Sequence, residues 1–330
     1  YILEYSKFRG CSLQFAYRNM KKSLISTEAF GTGLAIVLSQ VLPPFIGYPV
    51  AHLISRVVSC FPRGSAYQAL KLNQWIVSGK TMNEQELKRR VRRIFYNQGI
   101  ALYDFYRALN RPDLVRRLVK MTPAFMQLVE QCKRGDQPIL LLMPHLTGFN
   151  LGGLRLVQEG MRYLVLAHPN PSRGYRWQNK LRNERGMEVV PFTPANLVRA
   201  RERLQQGGTV LTAVDRPLEG SNYHPQFFGC PADLPVAYIR LALKTKARVF
   251  VVGFMTLEDH TQVIDVSDEV SMEHFDDPER ELIVNAEKVL KHAEDFIRKD
   301  PAQWMMFFPV WPGEQANLKH HAGVKKNAHR

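Results

Sequence analysis

The clearest candidate for chemistry in this sequence is a histidine that follows a predicted buried strand. The apolar run Ile139–Met143 is typical of a strand, and Pro144, His145 and a turn come directly after it. In an open α/β sheet the active site lies beyond the carboxyl ends of the strands, and histidine is the usual general base near neutral pH. His145 is therefore our first candidate for catalysis. The alternative is a histidine that only caps the next helix.

Asn150 is the residue nearest in sequence that could orient this histidine. It lies five positions after His145, in the predicted first turn of the following helix. We expect its side chain to reach back to the Nδ1–H of the imidazole, because a base needs a partner that fixes its tautomer.

A second polar pair and an apolar loop follow a later strand. Asp215 and Arg216 come directly after the strand candidate Val210–Val214. They could hold a phosphate or orient a base, or they could pair with each other. The loop Phe227-Phe228-Gly229 that comes next could line an acyl groove, although two phenylalanines are more often core.

Several classes of site lack sequence support. No Walker A motif, GxGxxG motif or GxSxG elbow is present, which disfavours nucleotide binding by those routes and an α/β-hydrolase. We expect no metal site, because no metal-ligand spacing occurs. The four cysteines lie far apart and form no CxxC pair, which makes a zinc ribbon or a disulfide framework improbable.

The elements that must position these residues alternate between strand and helix patterns, which predicts βαβ units and an α/β fold with a mainly parallel central sheet flanked by helices. A long helix is predicted over Glu84–Leu109 and another over Glu279–Lys299. The strand candidates are Ile139–Met143, Tyr163–Leu166, Glu188–Phe192, Val210–Val214, Arg248–Phe254 and Gln262–Val266. The shorter helix candidates are Asn150–Gln158, Tyr175–Arg185, Pro194–Gln205 and Pro235–Lys244.

The N-terminal region contains a stretch without formal charge between Glu28 and Arg56. Pro43 and Pro44 divide it, and the 14 residues Ala29–Leu42 are shorter than the roughly 20 that a span requires. We expect helices that lie on or dip into a membrane, behind the basic residues Lys7, Arg9, Arg18, Lys21 and Lys22. A buried helical hairpin is the main alternative.

The charge of the chain indicates a polyanionic partner. Among 330 residues, 45 are Lys or Arg and 30 are Asp or Glu, which gives a formal net charge of +15. Nucleic acid, anionic lipid and an acidic carrier protein all fit such a balance. Nucleic acid is disfavoured because no recognisable binding module with interleaved aromatic residues occurs.

Taken in order, these motifs resemble the lysophospholipid acyltransferase superfamily, and more narrowly the late lipid A acyltransferases and the phosphatidylinositol mannoside acyltransferases. The resemblance covers roughly residues 50–312. The segments that carry it are the basic helical stretch Arg89–Leu118, the motif His145–Asn150 with Leu151–Leu154, Arg182 before Gly186, the strand from Gly207 to Asp215, the loop Phe227–Gly229 with Pro235, and Pro301-Ala302-Gln303-Trp304.

The resemblance implies a glycerol-3-phosphate acyltransferase-like fold and transfer of an acyl chain from acyl-CoA or acyl carrier protein to a hydroxyl of a membrane glycolipid or lysolipid. It implies no other cofactor. His145 would be the general base, with Asp215 as a further catalytic candidate. Backbone N–H groups near Gly148–Asn150 would bind the oxyanion, and Arg182 and Arg216 would bind a substrate phosphate.

The same resemblance implies a peripheral or monotopic protein on the cytoplasmic face of a bacterial inner membrane. We expect a membrane-associating helical region over residues 1–80, an acyltransferase domain over 81–313 and a polar basic tail over 314–330. Partners would be the anionic membrane surface, the lipid acceptor and an acidic carrier protein.

One residue departs from the family pattern. The family has an acid where this chain has Asn150, and an amide cannot stabilise an imidazolium by charge. Asp215 or Glu219 could supply that charge; otherwise the chain would be a catalytically weakened, lipid-binding homologue. The segment Met305–Phe308 also stands where the lipid A enzymes usually carry a His-Arg pair.

Overall fold

The computed structural model describes residues 35–218, 220–318 and 320. Within them one sheet has seven strands, which are β1 Val119–Met121, β2 Ile139–Met143, β3 Tyr163–Ala167, β4 Glu188–Pro191, β5 Thr209–Ala213, β8 Arg248–Thr256 and β9 Gln262–Val266. Their order across the sheet is β1-β9-β8-β2-β5-β3-β4. A separate two-residue hairpin pairs β6 Gln226–Phe227 with β7 Cys230–Pro231.

Helices cover both faces of this sheet. They are α1 Pro44–Ser59, α2 Ser65–Val77, α3 Glu84–Ala108, α4 Pro112–Leu118, α5 Pro123–Arg134, α6 Phe149–Gln158, α7 Arg173–Glu184, α8 Pro194–Gln205, α9 Ala237–Thr245 and α10 Pro278–Lys299. Two short 3₁₀ turns, Pro301–Gln303 and Pro312–Glu314, follow α10.

The expected α/β fold is confirmed, with a mixed rather than purely parallel sheet. The strands from β8 to β4 run parallel, whereas β9 is antiparallel to β8 and β1 is parallel to β9. Strand β1 was not predicted from the sequence, because a three-residue strand has too few positions to show a pattern. Strand β2 is buried along its whole length, as expected for a central strand with helices on both faces.

The long helix predicted from Glu84 is confirmed as α3, and its start has a clear local cause. The side chain of Asn83 accepts hydrogen bonds from the N–H groups of Gln85 and Glu86, and Glu86 accepts from the N–H of Asn83. This capping box satisfies backbone donors that the first turn would otherwise leave unpaired. Helix α10 starts in a similar way, with Asp277 as its N-cap and a proline at the first position.

The N-terminal helices differ in what they bury. Helix α2 contributes Leu72, Trp75 and Ile76 to the same core cluster as the central strands, and Asn73 donates hydrogen bonds to the carbonyls of Met306 and Phe308. Within residues 35–80, α2 is part of the main core, whereas the described segment before it carries many exposed large apolar side chains.

Helix α1 begins at Pro44, directly after the predicted break, and contains Pro49. It packs on α3, where the Tyr48 hydroxyl donates to Asp104 and the ring of Tyr103 lies against Gly47. No described helix is both long and apolar enough to span a bilayer. The basic residues that precede this region in the sequence lie outside the described residues. The same holds for the first part of Ala29–Leu42 and for most of the tail after Leu318.

Candidate active site

His145 lies where the sequence predicts, just beyond the carboxyl end of β2, and the C-terminal segment holds its loop in place. The N–H of Met305 donates to the carbonyl oxygen of His145 at 2.8 Å, and Leu146 forms an antiparallel bridge with Trp304. The backbone of His145 and Leu146 is thus held in place by a segment that lies about 160 residues away in sequence.

The partner of the imidazole is Asp215, at the end of the adjacent strand β5. His145 Nδ1 lies 2.6 Å from Asp215 Oδ1, and the backbone N–H of His145 donates to Oδ2 at 2.7 Å. The indole N–H of Trp304 donates to the same Oδ2, also at 2.7 Å. Strands β2 and β5 pair in parallel with Met143 opposite Ala213, so the two side chains leave the sheet at the same level.

Asp215 is completely buried, yet its surroundings keep it ionised. Burial by itself favours the protonated acid. The positive charge of a protonated His145 and the hydrogen bonds from His145 and Trp304 outweigh burial, and they hold the pKa of Asp215 below its usual value. An ionised carboxylate accepts the Nδ1–H of the imidazole. Nε2 of a neutral His145 is then left without a proton, as a general base requires.

The expectation that Asn150 holds the imidazole is therefore corrected. Asn150 is buried, and its Oδ1 accepts hydrogen bonds from Arg182 Nε at 3.1 Å and Nη2 at 2.5 Å. The amide thus contacts helix α7, and Nδ1 of His145 is paired with Asp215. Among the acids considered from sequence, Asp215 is the one that contacts His145; Glu219 lies outside the described residues.

Arg182 is a buried cation without a carboxylate partner among the residues that the structure describes. Only 7% of its surface is exposed, its other hydrogen bond goes to Asn179 Oδ1 at 2.6 Å, and its guanidinium lies 5.3 Å from the ring centroid of Phe149. Burial lowers the pKa of Arg182, and the groups that oppose this lowering are the hydroxyls of tyrosines. Arg182 therefore contributes an uncompensated positive charge.

A cavity opens beside His145 and contains both predicted arginines. It has a volume of about 200 Å³, and its wall is largely apolar. Arg182 and Arg216 line it, and no described Asp or Glu does. Arg216 does not pair with Asp215; its guanidinium lies 4.2 Å from the ring centroid of Phe308. The cavity thus combines an apolar wall with positive charge next to the base.

The Phe-Phe-Gly loop lies elsewhere, since none of its residues lines this cavity. Phe227 is fully buried and packs against Trp304 and Trp311, with ring centroids 5.9 and 5.5 Å away. Phe228 and Gly229 form the hairpin turn with φ angles of 51° and 71°, and the N–H of Phe228 donates to Glu294 at 2.5 Å. The expected acyl-groove role is corrected: the loop buttresses Trp304, which holds Asp215.

Gly148 is also placed differently from its expected role. Its N–H donates to the carbonyl oxygen of Phe254 at 3.1 Å, so this donor is already used. An added Cβ would lie 3.0 Å from the backbone of Phe254, which explains the absence of a side chain there. Gly148 thus joins the His145 loop to β8 and offers no free N–H to an oxyanion.

Three residues of the site had no role predicted from the sequence: Thr147, Gln303 and His168. The Thr147 hydroxyl is linked to Thr256 at 2.9 Å and donates to Gln303 Oε1 at 2.8 Å, which ties the His145 loop to β8 and the C-terminal segment. His168 lines the cavity at the end of β3. The sequence could have indicated His168 as a candidate, because it follows an apolar run just as His145 does. No described cluster of His, Cys, Asp or Glu side chains is placed to hold a metal ion.

A sequence profile of the bacterial lipid A biosynthesis acyltransferases matches residues 19–312. The chain belongs to this family. The match covers His145, Asp215 and Trp304, and it identifies the protein as an acyltransferase of the lipid A type. A search among curated proteins found no match.

Proposed function

We propose that the protein transfers a fatty acyl chain from an acyl thioester to a hydroxyl of a membrane glycolipid or lysolipid, with His145 as general base and Asp215 as its partner. The observation that carries this proposal is the pair His145 Nδ1 and Asp215 Oδ1, 2.6 Å apart at the edge of an apolar cavity. A base with a fixed tautomer next to a space suited to an acyl chain is what direct acyl transfer requires.

In this mechanism Nε2 of His145 takes the proton of the acceptor hydroxyl as the hydroxyl oxygen attacks the carbonyl carbon of the thioester. A C–O bond forms and the carbonyl oxygen gains negative charge. The C–S bond then breaks, and the proton passes from Nε2 to the departing sulfur. The Asp215 carboxylate stabilises the imidazolium between these two steps. No enzyme nucleophile is needed, which agrees with the burial of Cys132 and Cys230.

The positive charge in the cavity suits an anionic group on one of the substrates. Arg182 and Arg216 face a cavity without a described carboxylate, and arginine binds phosphate through paired hydrogen bonds. A phosphate on the lipid acceptor, on coenzyme A or on the pantetheine arm of acyl carrier protein would meet this requirement. The charge of +15 also suits an acidic carrier protein.

The exposed face of the N-terminal segment supports a membrane location. We name this surface the apolar face; its large exposed side chains are Val37, Leu38, Val41, Phe45, Ile46, Leu53, Ile54, Val57, Val58 and Phe61. Exposed apolar surface of this extent marks an interaction site. We propose that it rests in the cytoplasmic leaflet of a bacterial inner membrane and holds the protein there as a peripheral or monotopic protein.

The alternative of a catalytically weakened, lipid-binding homologue arose because Asn150 replaces the acid of the family. The contact of a buried carboxylate, Asp215, with the imidazole supports the active enzyme over this alternative. The arrangement therefore supports turnover.

The test is transfer of a labelled acyl chain from acyl-CoA and from acyl carrier protein to vesicles that contain lysophospholipid or a lipid A-type glycolipid. His145→Ala should abolish transfer, and a thermal melt checks that the variant is folded, because the change also removes a partner of the buried Asp215. His224→Ala is the matched control, because His224 also contacts an aspartate, at 2.8 Å, but is exposed and does not line the cavity. A wild-type protein that transfers no acyl chain, or an active His145→Ala variant, would contradict the proposal.

A further inference from the structure

His168 shares the catalytic cavity with His145 and lies on the opposite side of Asp215. Strand β5 pairs with β2 on one side and with β3 on the other, and Leu142, Thr212 and Leu166 are in register across the three strands. His145 and Asp215 lie three residues beyond that level, and His168 lies two residues beyond it. With strands about 4.8 Å apart, the backbones of the two histidines are separated by roughly 10 Å, enough to admit a reacting group between them.

A hydrogen bond fixes the tautomer of His168. The backbone N–H of Asn170 donates to His168 Nδ1 at 3.1 Å. A backbone N–H can only donate, so Nδ1 must be the acceptor and the proton of the neutral ring must lie on Nε2. Burial and then the charge of Arg216 lower the pKa of His168, which favours the neutral ring at physiological pH. His168 is thus a neutral donor, the complement of His145.

The reaction needs such a donor, and several polar groups near His145 are already engaged. The N–H of Gly148 donates to Phe254, and the hydroxyl of Thr147 donates to Gln303. Asn150 and Arg182 bind each other at the start of α6. Arg216 and His168 are polar groups that line the cavity beside His145, at the ends of β5 and β3.

We propose that His168 is a further catalytic residue, whose Nε2–H donates a hydrogen bond to the thioester carbonyl oxygen as that oxygen becomes negative, with the charge of Arg216 beside it. This role rests on the proposed function. As His145 takes the hydroxyl proton and the C–O bond forms, the electron pair of the carbonyl π bond moves to the oxygen that His168 binds. When the C–S bond breaks, the pair returns to the carbonyl and the proton passes to sulfur. His168 keeps its own proton throughout.

The test compares His168→Ala with His168→Gln, whose side-chain amide also donates a hydrogen bond. Removing one oxyanion donor costs about 10²–10³ in kcat in a well-studied protease, so we expect a loss in that range for His168→Ala, with little change in KM. His168→Gln should retain at least about ten times the kcat of the alanine variant, which corresponds to about 1.4 kcal/mol. His224→Gln serves as the control because His224 is exposed and away from the cavity.

A second measurement separates donation to the oxyanion from binding of the ground state. A thioether analogue of the donor has no carbonyl oxygen, so its affinity should be the same for wild type and His168→Ala. Three outcomes would overturn this role while leaving the proposed function intact. They are full kcat in His168→Ala, a loss confined to KM or to the affinity for the analogue, and equal losses of kcat in the Ala and Gln variants. A wild-type protein without transfer activity would overturn both.

Discussion

Trp304 donates its indole N–H to the same oxygen of Asp215 that accepts the backbone N–H of His145. The carboxylate is therefore held by the C-terminal segment as well as by the catalytic loop. Because the ring of Trp304 packs against the buried ring of Phe227, the hydrophobic core helps to hold Asp215 in place beside His145.

Trp304→Phe should lower turnover by roughly 10–100-fold, since a hydrogen bond to a charged group contributes about 1.5–3 kcal/mol. The ring and most of its packing are kept, and only the donor to Asp215 is lost. Trp311→Phe is the matched control, because Trp311 lies in the same aromatic cluster but donates to the carbonyl of Cys230. Steady-state rates of the two variants, beside their thermal melts, check this. Equal rates in both would mean that Trp304 acts only through packing.

Asn150→Asp should stabilise the fold and barely change turnover. The new carboxylate would face Arg182, which now has only amide oxygens as partners, and a charged pair there should add about 1–2 kcal/mol to the free energy of unfolding. At saturating substrate, kcat should stay within about threefold of wild type, less than 1 kcal/mol in barrier, because Asn150 does not contact His145.

Asn150→Leu is the opposite variant at the same position. It leaves the buried guanidinium of Arg182 without these two hydrogen bonds and should destabilise the protein by about 2–4 kcal/mol. Chemical denaturation of both variants gives the answer. A large gain in turnover for Asn150→Asp would show that this position acts on the imidazole after all.

Asp104 should make the stability of the protein depend on pH. It is fully buried, only its Oδ1 accepts a hydrogen bond, from the Tyr48 hydroxyl at 3.1 Å, and burial raises its pKa to about 7. The pKa of Asp104 is higher in the folded protein than in the unfolded chain. Its contribution to stability is therefore complete below about pH 4, the pKa of an aspartate in the unfolded chain, and is lost as pH rises through about 7.

Asp104→Asn should therefore be more stable than wild type at pH 8, by at most about 4 kcal/mol, and the difference should shrink as pH falls toward 4. Denaturant titrations at several pH values measure this. Tyr48→Phe is the companion variant, since it removes the hydrogen bond that links α1 to α3 and keeps the ring. A difference that does not vary with pH would contradict a raised pKa for Asp104.

Leu53→Asp should weaken binding to anionic vesicles by at least about tenfold, because burying a leucine in an apolar environment contributes about 2 kcal/mol. Leu53 is 63% exposed on the apolar face, so the fold should not change. Val198→Asp, at an exposed position on α8, is the control. Vesicle flotation measures binding, and turnover on detergent-dispersed lipid should be unaffected. Equal flotation of both variants would exclude the apolar face as the docking surface.

The sequence predicts the position of His145 but leaves Asn150, Asp215 and Glu219 as alternative partners. An apolar run followed by a turn and a helix shows where a strand ends, and this depends on local pattern alone. Asp215 is 70 residues away, and only the pairing of β2 with β5 brings it to the imidazole. Asn150 is close in sequence, but α6 carries its side chain toward Arg182.

The Phe-Phe-Gly loop shows the same limit. Phe227 and Phe228 could equally face a groove or the core, because both environments favour aromatic rings. What decides is the packing of Phe227 between Trp304 and Trp311, which come from a distant part of the chain. Fold class was predictable because alternation of strands and helices is repeated along the chain, whereas each contact in the site depends on one long-range arrangement.

The most direct test of the His145–Asp215 pair is the turnover of Asp215→Asn. The amide is nearly isosteric but cannot stabilise the imidazolium by charge, and the same change in a serine protease lowers kcat by about 10⁴. We predict a loss of about that size, with Asp233→Asn, the partner of the exposed His224, close to wild type. Turnover of Asp215→Asn equal to that of wild type would contradict the assignment of Asp215 as the partner of the catalytic base.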